Sequence, residues 1–272
     1  MAKFKIFDNI LKKYEGNDKE VVIPEGVTEI AEKAFLGCKK LTSVELPEGL
    51  TKIGALAFKD CHQLTELTIP DGVTKIGDGA FCFCIRLTSM TIPDSVTEIG
   101  ELAFMGCDRL TSVILPNNLT EIKDSIFDGC RSLESIMLPE SVEKIGESAF
   151  ENTPWLEKKL EENTFVIING ILVDTIFLEG SVTLPDDVTE IAGGVFKNNH
   201  NIREITIPDR VKTIGRDAFM CCSNLTSVKL PEGLTEIGDS AFYGCESLTD
   251  IKIPDSVKTI GEDAFYGCNI QK

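Results

Sequence analysis

The side chains in this sequence with the greatest capacity for chemistry are its ten cysteines, and eight of them stand at one repeating position: Cys38, Cys61, Cys84, Cys107, Cys130, Cys222, Cys245 and Cys268. Zinc would call for paired Cys-x₂-Cys sets, and none is present. Residues repeated once per turn of a coil stack about 4.8 Å apart with parallel side chains, a poor match to the near-perpendicular torsion of a disulfide. The spacing therefore predicts a buried ladder of free thiols. Cys82 and Cys221 lie off that ladder and are expected to be more exposed and the first to oxidise.

Carboxylates also recur in rows. Glu25, Glu48, Asp71, Asp94, Glu140, Asp186, Asp209, Glu232 and Asp255 each follow a proline, and Asp78, Glu101 and Asp239 belong to a second row. Calcium takes about six to eight converging oxygens, whereas these rows offer isolated carboxylates in solvated corners. His62 and His200 are far apart and belong to no nucleophile motif. No glycine-rich phosphate loop follows a strand. The expectation is a chain without metal, cofactor or catalytic site. The net charge of −17 argues against nucleic acid and anionic membrane surfaces, both of which reward clustered Lys and Arg. No apolar stretch is long enough for membrane insertion.

The elements that carry these residues follow from the prolines. Pro24, Pro47, Pro70, Pro93, Pro116 and Pro139 are 23 residues apart, and Pro185, Pro208, Pro231 and Pro254 continue the same lattice. Six residues after each comes Ile, from Ile30 to Ile260, and eleven after comes Phe, from Phe35 to Phe265. A unit of 23 residues cannot enclose a core, but stacked units can superpose Ile on Ile and Phe on Phe. Leu41–Leu46 alternates apolar and polar residues and reads as a strand that Pro47 ends. Leu50–Gly54 reads as a second short strand with a glycine suited to a corner, and Ala57–Cys61 as a compact 3₁₀ or α-helical turn.

The pattern Leu-x-x-Val/Ile-x-Leu/Ile-Pro-x-x-Val/Leu-x-x-Ile-Gly-x-x-Ala-Phe-x-x-Cys closely resembles the BspA-like leucine-rich repeat family across nearly the whole chain. The resemblance implies a β-rich, α/β-type solenoid: a right-handed superhelix with a concave parallel sheet. It also implies a bacterial surface or secreted protein that adheres to a protein partner such as a host matrix or surface protein. The sequence shows no signal peptide, which leaves a cytoplasmic location open.

The lattice blurs between Phe150 and Pro185. The charged stretch Glu157–Glu162 reads as exposed and helical, and Asn169-Gly170 between apolar runs signals a type I′ hairpin. Phe4–Lys12 matches Phe165–Val173 in type, 161 residues or seven periods earlier. The expected organisation is one solenoid over 1–272, with a hairpin cap at 1–20, six repeats at 21–150, an irregular hairpin unit at 151–184 and four repeats at 185–272. A hinge between two domains is the alternative. The C-terminal end, lacking a comparable cap, offers end-to-end self-association, as an intracellular scaffold would use.

With the core columns assigned, partner-binding candidates are the outward strand positions: Glu66, Thr68, Ser89, Thr91, Ser112, Ile114, Ser135 and Met137. Ile114 and Met137 are apolar on adjacent rungs where their neighbours are polar. A second variable column holds Leu36, Cys82, Met105, Met220, Tyr243 and Tyr266.

Overall fold

The computed structural model describes residues 3–270. Two compact units divide the chain: one comprises the residues up to Lys144 together with Ser148–Lys158, the other Ile145–Glu147 with the residues from Lys159 onward. Each is a β-solenoid built from parallel strands.

The first unit begins with an antiparallel hairpin, Phe4–Phe7 and Ile10–Tyr14, turned by Asp8 and Asn9 at φ of 48° and 60°. From its second strand a parallel ladder runs through Glu29–Ile30, Lys52–Ile53, Lys75–Ile76 and Glu98–Ile99, the first step offset by 19 residues and each later one by 23. On a second face, the strands before the prolines form one parallel sheet from Glu20–Val22 to Glu66–Leu67 and another from Ser89–Thr91 to Ser135–Met137. In both faces one side chain points inward and the next outward, so Val44, Met90 and Val113 enter the core.

The third face closes differently from a helix. Alternate amides, those of Ala34, Leu36 and Cys38, bond back three residues, to Ala31, Lys33 and Phe35. The amides between them, of Lys33, Phe35 and Gly37, bond to Ala55, Ala57 and Lys59 on the next coil. Turn closure of the 3₁₀ type is present, but left-handed residues interrupt it twice in each of the ten units. Lys33 and Gly37 fill those two positions in the first unit's opening coil, with φ of 59° and 68°. The corner glycines turn out to serve close approach: a Cβ on Gly77 would collide with the backbone of Gly54 and Ala55.

Inside, Phe35, Phe58, Phe81, Phe104, Phe127 and Phe150 stack with centroids 4.9–6.1 Å apart and planes within 13°. Tyr14, itself against Phe4, covers one end of this column at 5.1 Å from Phe35. Trp155 tilts across the other end, 4.8 Å from Phe150. Trp155 belongs to the helix Pro154–Glu162, which covers the charged stretch expected to be helical. Buried Thr153 caps it, its Oγ1 accepting from the Leu156 amide, and Pro154 occupies the first helical position, where no N–H is needed. That placement explains the one proline off the lattice.

The second unit repeats the scheme. Phe165–Ile168 pairs with Ile171–Thr175 in the register of the first hairpin, through Asn169 and Gly170 at φ of 52° and 82°. Parallel ladders follow to Thr259–Ile260 and to Asp250–Ile251. Phe196, Phe219, Phe242 and Phe265 form its aromatic column at 4.8–5.3 Å. In its last described coil Ile260, buried in every earlier turn's equivalent, is 49% exposed.

Candidate functional site

The candidate binding residues fall on one sheet face of the first unit because its strands keep the 23-residue register. Ser89, Ser112 and Ser135 are direct neighbours, as are Thr91, Ile114 and Met137. Glu66 lies on the neighbouring sheet, paired with Ser43, and Thr68 follows its strand and lines a groove with Glu45. Glu66, Thr68, Ser89, Thr91, Ile114, Ser135 and Met137 are exposed, while Ser112 is half-buried.

Ile114 and Met137 are 51% and 70% exposed and pair directly. They line a shallow groove of about 300 Å³ with Thr91, Pro93, Asp94 and Asn117. Asn117 bridges back to Asp94: its amide N–H donates to Asp94 Oδ1 at 2.8 Å, and its Nδ2 reaches both carboxylate oxygens at 3.2 Å. The groove thus has an apolar wall, a fixed polar rim and a floor of hydrogen-bonded strands. An adjoining groove of about 440 Å³ is lined by Glu20, Glu45, Glu48 and Glu66 around Val22, which is itself exposed.

Seven of the ten thiols are buried, while Cys38 and Cys268 at the ends of the ladder, and Cys221 beside it, are half-buried. Each ladder sulfur from Cys61 to Cys130, and from Cys222 to Cys268, donates to the carbonyl of the Phe 26 residues earlier, at 3.0–3.3 Å. Where the column lacks Cys, the residue there also donates but to another carbonyl: Thr153 Oγ1 to that of Phe150, three residues earlier, and Asn199 Nδ2 to that of Leu178. Burial pushes the Cys84 and Cys107 thiols well up, which suppresses thiolate chemistry.

Cys82 corrects the expectation of an exposed, oxidation-prone thiol. It is 4% exposed and burial raises its pKa. The cause is its short side chain, set in a column between the longer Lys59 and Met105 of adjoining coils. Cys221 is half-buried. Elsewhere in that variable column, Leu36 and Tyr266 are exposed and Tyr243 stacks on Tyr266 at 5.2 Å.

One feature of the turn face escaped sequence reasoning. The second left-handed position of each coil holds Gly, Asn or Asp in eight of ten units, which was a readable signal for positive φ. Phe83 breaks that pattern at φ 58°, and a bulky residue there costs about 1–2 kcal/mol.

His62 approaches Asp60 at 3.6 Å, and His200 Nδ1 meets Ser223 Oγ at 2.9 Å, in different units. Among the described residues there is no group of three or more His, Cys, Asp or Glu placed to hold a metal, and no helix long and apolar enough to cross a membrane.

The model of the BspA type leucine rich repeat region matches in six copies, over residues 5–84, 51–175 and 178–272. The chain belongs to this family of leucine-rich repeats. A leucine-rich cell surface protein from Faecalibacterium prausnitzii is 31% identical, with 95% of this chain and 82% of that one covered at a TM-score of 0.55. The pneumococcal vaccine antigen PcpA shares the fold at 24% identity and a TM-score of 0.51, covering 93% of this chain and 70% of its own. Comparison with curated proteins returns no match. The leucine-rich repeat is a fold typical of protein-binding modules, and these relatives are repeat proteins without catalytic character.

Proposed function

We propose that this leucine-rich repeat chain is a non-enzymatic adhesion module of a bacterial surface, binding a protein partner through the outward sheet face of its first unit. The in-register exposure of Ile114 and Met137 carries this reading. Apolar side chains of that size gain by leaving water, and parallel pairing holds their backbones, that of Ile114 between two strands and that of Met137 against one. Polar neighbours Thr91, Ser112, Ser135 and Asn117 supply a rim with which a partner can satisfy its own backbone groups. A surface location is favoured by the likeness to the F. prausnitzii cell surface protein.

The test is surface plasmon resonance against a panel of purified extracellular-matrix proteins, comparing the native chain with Ile114→Glu/Met137→Glu. Both side chains are exposed, so the double variant should fold normally and melt within about 2–4 °C of the native chain. Affinity for a matrix protein that binds the native chain is expected to fall at least about tenfold. Unchanged affinity would remove this face from the account.

A further inference from the structure

The turn face of the first unit carries a second feature, independent of the sheet face. Phe83 holds a left-handed backbone conformation and is 38% exposed. Its ring lies over Gly106, one coil on, where any Cβ would overlap it. A groove of about 350 Å³ opens beside the ring, floored by Gly106 and Gly129 and walled by Met105, Asp108, Asp128, Arg131 and Asn152. Asn152 Nδ2 donates to Asp128 Oδ1 at 2.9 Å, which fixes both planar groups. Among the described residues, neither the Asp108 carboxylate nor the Arg131 guanidinium has an ion-pair partner.

We propose that this groove binds a carbohydrate. A pyranose would stack its C–H face on the Phe83 ring and share its hydroxyls among Asp108, Asp128, Asn152 and Arg131. The chemistry is selective. A pyranose ring presents a flat apolar face edged by adjacent hydroxyls, each able to donate and accept. Carboxylates accept from such pairs, and a guanidinium donates to them. Both charge signs border the groove, so a simple anion or cation would meet repulsion on one side. The exposed aromatic supplies the apolar contact that a purely ionic ligand would waste. The volume is at the small end of ligand sites and open to solvent, as suits one residue of a longer glycan. Phe83 also bears backbone strain at a position where most other coils use Gly, Asn or Asp, and such strain concentrates at binding sites.

Saturation-transfer difference NMR on the intact chain tests the inference, with the methyl glycosides of galactose, glucose, N-acetylglucosamine and N-acetylneuraminic acid at millimolar concentration. At least one should receive saturation. Phe83→Gly should weaken that binding at least about tenfold while raising the melting temperature, since the strain goes with the ring. Asp108→Asn, which keeps the side chain's size and removes its charge, should weaken it as well. Should Phe83→Gly melt lower, Asp108→Asn decides alone. Failure of all four sugars to bind, as expected if the ring instead meets a protein, overturns the proposal. So does binding that survives unchanged in Asp108→Asn.

Discussion

The two units start alike and present different surfaces. Each begins with a hairpin of identical register and follows it with superposed Ile and Phe columns. Along the outward strand column, however, the first unit runs Val22, Glu45, Thr68, Thr91, Ile114, Met137, while the second runs Thr183, Thr206, Lys229, Lys252. An inward Phe is bounded by the Phe above and below, so its volume is dictated twice over. An outward side chain meets only solvent and its neighbours along the column, and can change without cost to the stack. The hairpins differ in the same sense. Tyr14 reaches the aromatic column of the first unit, whereas its counterpart in the second, opposite Phe165, is Thr175. The lesson is that the repeated columns carry stability, while the proposed binding surfaces lie in the departures from them.

The largest effect should come from the columns. Phe104→Ala and Phe242→Ala each remove a fully buried ring stacked on both sides, and each should cost about 3–5 kcal/mol in urea denaturation. Costs differing by more than about 2 kcal/mol would break the equivalence of the two cores.

A smaller effect separates the hairpins. The Lys3 ammonium and the Tyr14 hydroxyl, both bonded to Asp18, hold its carboxyl below the usual carboxylate range. A depressed carboxylate stabilises the fold above its ordinary pKa of about 4 and loses that contribution as pH falls through the lowered value. Protection of the amides in 10–14, corrected for the intrinsic slowing of exchange in acid, should therefore weaken below about pH 4 in the native chain, a pH step that Asp18→Asn abolishes. The same pH step persisting in Asp18→Asn would show that other carboxylates control the hairpin.

Much of this architecture was legible in the residues. The proline lattice set the strand ends, because Pro47 and its counterparts cannot donate to a ladder, and the Ile and Phe columns read directly as core. Asn169-Gly170 announced its hairpin through its demand for positive φ. The turn face was harder to read. Its first left-handed position holds residues as unlike as Lys33, Leu56, Gly79 and Asp217, since the next coil's hydrogen bonds impose the conformation from outside. Cys82 misled for a related reason, as its burial depends on the lengths of Lys59 and Met105, 23 residues away on either side. Ile114 and Met137 were legible as apolar outward residues, and the structure adds the groove they share with Asp94 and Asn117.

The contrast between the two outward columns can be measured directly by hydrogen exchange on the native chain, free and saturated with a matrix protein that binds it. Backbone amides bonded within a ladder exchange by local opening, which a bound partner suppresses. Protection should concentrate in 89–91, 112–114 and 135–137 and be absent from 227–229 and 250–251. Protection centred on the Lys229 and Lys252 strands, or none on the Ile114 and Met137 strands, would contradict the account.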